Sequence, residues 1–498
     1  MRIFRYMKKY WFLFLILFLI PKTVSAATDW EEFVFAISSD DEIIEIENDI
    51  IGNKDIVITK DKAINLNGYC ISSAGSITID GAEVKISNGK ITSTDNNTLS
   101  IVNGASVSLN ESIVENTGYG GYSIYIKGAN VDNDVKTKLL IDSESSVIAN
   151  FALGIQRNGL ASYGVEVDIY GSIIGENTIN TYNYGAVGIH VFSNISKSEG
   201  NVPKINIYDG ANIIAKQGNN GDINADDAPA IYAEGYAKWN IFGGTIKGSE
   251  AITAFAGEFN IFDGNLIGIG DFYDTQIESN KSIATGSAIT LVENSNFPSG
   301  ISLNVASGNI TSEKAFAIYS LPSDKVQENS ISSLVLSGGR YTGKETALNV
   351  SKYNKFVNGG CYNGQVDTDY LNFEDLSIVE DNKHYCVGLK KEIIIEESNK
   401  KFVSVNIDKA VAGQSVKIVP KELKGYKILS YDVRTASGKI VKIDNGVFIM
   451  PNEQVIVEVN YVEDIINPDT SDNIYLVFMN FILSFIGFCT LIYVRIKG

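Results

Sequence analysis

The chain has 498 residues, 41 Lys and Arg against 59 Asp and Glu, two His and four Cys, for a formal charge of −18. That length exceeds one ordinary core. With the basic ends set aside, residues 27–470 carry 34 bases and 58 acids, which repels phosphate backbones and excludes nucleic-acid binding.

Residues 1–26 begin with a basic segment from Arg2 to Lys9, continue with an apolar run from Tyr10 to Ile20, and end in Val24-Ser25-Ala26. Small residues stand at the two positions that signal peptidase reads, so the segment is expected to be a secretory signal cleaved before Ala27. An uncleaved signal anchor is the alternative. N-terminal sequencing separates them.

From about 43 to 360 a short phrase recurs in which apolar and polar residues alternate and Gly follows. Examples are Ser76-Ile77-Thr78-Ile79-Asp80-Gly81, Ile205-Asn206-Ile207-Tyr208-Asp209-Gly210, Asn240-Ile241-Phe242-Gly243-Gly244 and Asn260-Ile261-Phe262-Asp263-Gly264. Alternation is the period of a strand with one covered face. Aligned on a core apolar residue, later copies stand at 207, 241, 261, 305, 336 and 357, a unit of about 20 residues with insertions. Second and third phrases follow most first ones, as in Thr245-Ile246-Lys247-Gly248 and Glu250-Ala251-Ile252-Thr253-Ala254. Three short strands per turn describe one coil of a solenoid, and one coil cannot bury its own inner face; stacking does.

The stretch 30–388 resembles the right-handed parallel β-helix of the pectate-lyase-like superfamily, with Trp30 to Ile46 like its N-terminal cap and Ile64-Asn65-Leu66-Asn67-Gly68 like its first strand. The expected fold class is therefore all-β, with a parallel β-helix over 27–390. About a dozen coils at ~4.8 Å spacing make a rod on the order of 60 Å. Residues 395–463 hold Gly425-Tyr426 and Phe448-Ile449-Met450-Pro451 ahead of Val455-Ile456-Val457-Glu458-Val459. That order resembles the internalin B-repeat module, a small all-β spacer.

At the far end, 473–494 has 22 residues without a charge, followed by Arg495 and Lys497 in the tail 495–498. Such a run is long enough to cross ~30 Å of hydrocarbon as a helix, and the basic tail places the body outside the cell. Before it stands Asn467-Pro468-Asp469-Thr470-Ser471. Motif, apolar helix and basic tail, over 464–498, resemble the LPxTG-type sorting signal of Gram-positive surface proteins, with Asn for Leu and Ser for Gly as in NPxT variants. The resemblance implies sortase as a partner and Thr470 as the attachment point to peptidoglycan. A plain single-pass membrane anchor is the alternative, and both put the protein at the cell surface.

Cys361 and Cys386 stand 25 apart and are candidates for a disulfide in an exported chain. Cys70 reads as a small buried hydrophobe and Cys489 lies in the apolar helix.

Lyases and hydrolases of the β-helix superfamily use Asp and Glu as calcium ligands or as acid and base. The hydrolase landmarks Asn-Thr-Asp, Asp-Asp, Gly-His-Gly and Arg-Ile-Lys are missing in that order; Arg495-Ile496-Lys497 belongs to the tail. His190 and His384 read as surface or satisfied side chains. Asp222, Asn224 and Asp226 have the spacing of a calcium loop but lack its central Gly and put Ala233 at the bidentate position, so they are at most a weak metal candidate and otherwise a solvated insertion. No cofactor is expected. Tyrosines cluster at Tyr119, Tyr122 and Tyr125, at Tyr163 and Tyr170, at Tyr182 and Tyr184, and at Tyr232 and Tyr236. They suit either strand packing or a face that stacks on sugar or grips a host protein. The expected function is a non-enzymatic, adhesin-like binding protein, the alternative being a wall-attached polysaccharide lyase or glycoside hydrolase.

Overall fold

The computed structural model describes residues 24–463 except 95–96, 119–120, 130–134, 157–163, 177–185, 193–200, 217–226, 274–284, 295–296, 298, 323–330 and 351–352, together with a helix over 471–497. The chain divides into two units, Met1–Leu389 and Lys390–Gly498.

In the first unit the alternating phrases form short strands in which every second residue turns inward. Lys238–Ile241 buries Trp239 and Ile241 and turns Lys238 and Asn240 outward. Three such strands make one turn: Lys238–Ile241, Thr245–Gly248 and Ile252–Ala254 are followed by Gly257–Ile261, which pairs in parallel with the first of them. The result is a three-faced, β-helix-like coil. Ile207, Ile241, Ile261, Val305, Leu336 and Val357, the residues aligned from sequence, stand in one register column.

Faces one and two merge where Glu83–Ser93 and Ser106–Asn116 run through the corner between them. Each bends at a residue with positive φ, Asn88 at 57° and Glu111 at 49°. Face three is separate. Its eleven described strands follow one another in sequence order from Ile56–Ile58 to Leu348–Asn349, each parallel to the next. At ~4.8 Å per rung that is about 50 Å. The interior holds one continuous apolar cluster from Ala27 to Val387. At ~25 cal/mol per Å², burial of that lining is what holds the rungs together.

Helix α1 (Trp30–Ser38) closes the first end. Asp29 caps it by accepting from the Glu32 amide at 3.0 Å, while Glu32 reaches back to the Thr28 amide at 2.8 Å. These reciprocal bonds satisfy amides that a helix start leaves open. This helix lies within the stretch Trp30 to Ile46 that resembles a cap, and its helical form is not evident from that resemblance. Val24–Ala27 forms the outermost strand, in parallel register with Ile43–Ile46. The expected signal segment 1–26 therefore overlaps this strand at Val24, Ser25 and Ala26, and residues 1–23 lie outside those described.

Within the first unit, Gly360–Asn363 is the last strand to pair in parallel, an isolated parallel bridge joins Val357 to Leu371, and His384–Gly388 then runs antiparallel to Gly360–Asn363 and to Ser377–Asp381. This hairpin covers the open edge of the last coil, an exposure that parallel stacks must manage. Cys361 and Cys386 face each other across it and are joined as a disulfide. Cys70 and Cys489 are free thiols. A loop of about 25 residues contributes roughly 3 kcal/mol of stability when crosslinked. Replacing both cysteines by Ser is expected to lower the protection of amides 360–388 by that amount in hydrogen exchange while leaving 230–310 unchanged; equal loss throughout would contradict a local cap.

The second unit has two four-stranded sheets. One holds Lys391–Ile395, Lys409–Ala410, Tyr426–Thr435 and Val455–Glu463; the other holds Val403–Val405, Ser415–Pro420, Ile443–Asp444 and Val447–Ile449. Lys391–Ile395 precedes the 395 start read from the motifs. Those motifs have physical roles: Gly425 takes φ 84° at the turn into Tyr426, and Phe448 and Met450 enter the core while Ile449 stays exposed. Lys401 sits over the rings of Phe402, Tyr426 and Tyr461 at 4.8–5.9 Å from their centroids.

Helix α2 (Ser471–Lys497) forms over the apolar run. Among the described residues no helix is long and apolar enough to cross a membrane. The span expected over 473–494 therefore rests on sequence alone.

Candidate binding face on the third side of the coil

Strand alternation on face three leaves one outward column. Tyr125, Gly154, His190, Tyr232, Thr253, Thr290 and Tyr319 stand in register on successive rungs. Their neighbours Ile124, Leu153, Ile189, Ile231, Ile252, Ile289 and Ile318 are buried inside. The glycine is needed in this column: a Cβ at Gly154 would meet the Tyr122 ring at 2.7 Å. That ring lies across the open rung and brings its phenol to His190.

Tyr122 Oη stands 3.0 Å from His190 Nδ1, and His190 Nε2 stands 3.2 Å from Glu234 Oε2. Burial, with Tyr125 and Glu234 adding to it, pushes the Tyr122 pKa far up, so the phenol keeps its proton at neutral pH. Tyr122 Oη and Glu234 Oε2 occupy both ring nitrogens of His190. His190 thus matches the satisfied histidine of the sequence reading, with partners 68 and 44 residues away. His384 has its own partners, Thr342 Oγ1 at 3.5 Å and the Asn382 carbonyl at 3.3 Å, and burial lowers its pKa, with Arg340 adding.

Rings surround the imidazole. Phe192 is 4.4 Å from it between centroids, Tyr232 5.4 Å and Phe151 6.4 Å. Tyr122 meets Phe151 and Phe192 edge to face. The contacts pass on from Tyr232 to Phe255 and Phe297. Phe255, Val292, Tyr319 and Leu321 form a buried cluster there, so the half-buried part of the face is the His190 end. Burial raises the Tyr232 pKa as well, with Glu234 and Asp227 adding.

A second aromatic series lies at the turns after face one. Tyr170, Tyr208, Phe242 and Phe262 stack on consecutive rungs with centroids 4.2, 5.4 and 5.1 Å apart and planes within 3°, 21° and 7°. Rings so stacked hide their faces against one another, and a sugar needs an open face to stack on. This series packs rungs together rather than offering a platform. Beside it, Asp168, Asn206, Asn240, Asn260 and Asn304 pass side-chain hydrogen bonds from rung to rung at 2.8–3.4 Å. Tyr236 is buried.

Several expected site residues lie outside the described residues: Tyr119, Tyr163, Tyr182 and Tyr184, the calcium-loop candidates Asp222, Asn224 and Asp226, and Asn467, Pro468, Asp469 and Thr470 of the sorting motif. Ser471 opens α2, and its side chain is outside them too. Among the described residues no group of three or more His, Cys, Asp or Glu is placed to hold a metal ion. No family model, curated protein or solved structure matches the chain.

Proposed function

We propose that the chain is a non-enzymatic, surface-displayed binding protein whose recognition face is the His190 end of face three, and that its ligand is a glycan. One observation carries the reading: half-buried Tyr122, Tyr125, Phe192, His190 and Tyr232 converge on the outside of a rigid stack. Rings meeting at an edge leave part of their faces open, and Glu234 adds an acceptor for hydroxyl groups. Flat apolar surface with a few placed polar groups is what sugar recognition uses.

In this reading the signal segment 1–26 exports the chain, the run 473–494 crosses the membrane, and a sortase joins Thr470 to peptidoglycan. The coil is a right-handed member of the pectate-lyase-like group and the second unit is its B-repeat-like spacer. The lyase or hydrolase alternative is less well supported, because the phenol beside His190 keeps its proton and both imidazole nitrogens are already bonded.

A glycan array on the chain 27–463, followed by titration of its best ligand, tests the reading. His190→Ala and Tyr232→Ala are each expected to weaken binding about tenfold, or ~1.4 kcal/mol. An array without signal, or unchanged affinity in both variants, would sink it. Release of unsaturated products or reducing ends from the same glycans would favour the enzyme instead.

A further inference from the structure

The aromatic series that packs rungs together at the turns after face one has an end. Its members occupy equivalent places, each amide donating to a carbonyl one rung back: Phe242 to Ile207, Phe262 to Ile241, then Ala306 to Ile261 and Ser337 to Val305, all at 2.8 Å. The column of rings therefore stops at Phe262, and the next two places hold only a methyl and a hydroxymethyl group. Phe262 and Ala306 are both exposed. Phe242 covers one face of Phe262, and among the described residues no ring covers the other. The opposite end of the series is different. There Asp142 precedes Tyr170, and its carboxylate is engaged by Ser145 Oγ at 2.6 Å and by the Glu111 amide at 3.2 Å.

The amide ladder beside the rings stops at the same rung. A carboxylate only accepts, so Asn206 offers Nδ2 to Asp168, at 2.8 Å. Each later Asn then donates Nδ2 to the Oδ1 before it, ending with Asn304 to Asn260 at 3.1 Å. That polarity makes Asn304 Oδ1 the terminal acceptor. The next residue in its column is Val335, and among the described side chains none donates to it. Asn304 stands two residues before Ala306, so an open ring face and an open carbonyl share one turn. In the four strands of this rung and the next, Ile301–Val305, Asn309–Ser312, Ile331–Leu336 and Arg340–Thr342, Arg340 is the only charged residue and lies beyond the turn.

We propose that this corner is a sugar-binding notch in which one pyranose ring continues the stack. The sugar lies on the open face of Phe262 above Ala306, one rung or ~4.8 Å further on, and a hydroxyl at its edge donates to Asn304 Oδ1. The rings already present stand 4.2–5.4 Å apart, the separation that ring-on-ring contact takes. An apolar face next to an uncharged acceptor suits a neutral, hydroxyl-bearing ring. The notch is on a different corner from the His190 end of face three and does not rest on that reading.

Methyl glycosides of glucose, galactose and N-acetylglucosamine, titrated from millimolar concentration upward into the full chain, test this by nuclear magnetic resonance. The Ala306 methyl and Ser337 amide signals are expected to shift and saturate with at least one of them, while the His190 ring signals report separately on face three. Phe262→Ala is expected to weaken the Ala306 response about tenfold. Ala306→Phe, which extends the stack into the notch, is expected to abolish the Ser337 response while keeping or raising the melting temperature. Unmoved Ala306 and Ser337 signals, or an undiminished response in Phe262→Ala, overturns the notch. So does a fall in melting temperature in Ala306→Phe, which would mean that the place is already filled, or a response to free tryptophan and to no glycoside. Movement of the His190 signals alone overturns the notch and leaves the face-three reading standing.

Discussion

Ile241→Asp is expected to unfold the middle of the first unit. Ile241 is fully buried between Ile207 and Ile261, its register partners on the rungs before and after. A carboxylate there has no cation to meet and displaces apolar contacts on three rungs. Burying it unpaired costs several kcal/mol, about 5 as an order of magnitude. Domains of this kind hold only ~5–15 kcal/mol in total, so the expected result is a large fall in melting temperature of the 27–389 fragment with rapid proteolysis between 204 and 310. The same strand supplies the control: Lys238→Gln changes an exposed side chain and removes only a surface ion pair with Glu258. A melt of Ile241→Asp equal to wild type would refute the common dry interior.

Glu250→Ala is expected to be nearly as damaging, for the opposite reason. It removes an acceptor from Ser249 Oγ, Thr285 N, Thr285 Oγ1 and Gly286 N in a place water does not reach. An orphaned buried donor costs roughly 1–3 kcal/mol, so a loss of about 4 kcal/mol or more is expected at pH 5.5. The pH dependence runs downhill on the alkaline side. In the folded chain the pKa stands near 7 against ~4.5 unfolded, so the native state holds the proton more firmly. Its contribution is fully present below about pH 4.5, declines between the two values and is lost above about 7, by ~3 kcal/mol in all. Thermal melts of wild type and Glu250→Gln across pH 4–8.5 should diverge within that window. Parallel curves would mean that the carboxyl titrates normally.

The coil was readable because its rule is local. Strict alternation between a covered and an open face, with Gly or Asn at the bends, marks each strand within five residues, and the apolar positions 207, 241, 261, 305, 336 and 357 could be aligned without knowing any contact. The candidate face was not readable in the same way. Tyr122 and Glu234 reach His190 from 68 and 44 residues away, and no local pattern records which rung follows which. The same holds for Glu250 and Thr285, 35 residues apart. The stacked series had a visible signal, an aromatic residue directly after the last inward apolar one in Ile169-Tyr170, Ile207-Tyr208, Ile241-Phe242 and Ile261-Phe262. Half of that stack is Phe, so the tyrosine clusters do not trace it. The helix α1 also announced itself through Asp29 and Glu32, a start signal outweighed by the surrounding strand pattern. At the other end, the strands of the hairpin over 377–388 do not alternate as coil strands do, and Asn382 and Lys383, both at positive φ, make the turn between them.

Ile241 and Ile261 stand one turn apart in the same inward column, 20 residues from each other. Where two successive turns differ by 20 residues and every inward and outward position has its counterpart one turn later, a turn is an interchangeable part. Excising 242–261 would splice Ile241 to Phe262 and leave lining, amide column and aromatic stack in phase, whereas removing any fraction of a turn would rotate everything beyond the cut out of phase. Reach is thus adjustable in whole steps of about 4.8 Å, and the chemistry on the outside can be changed independently of it.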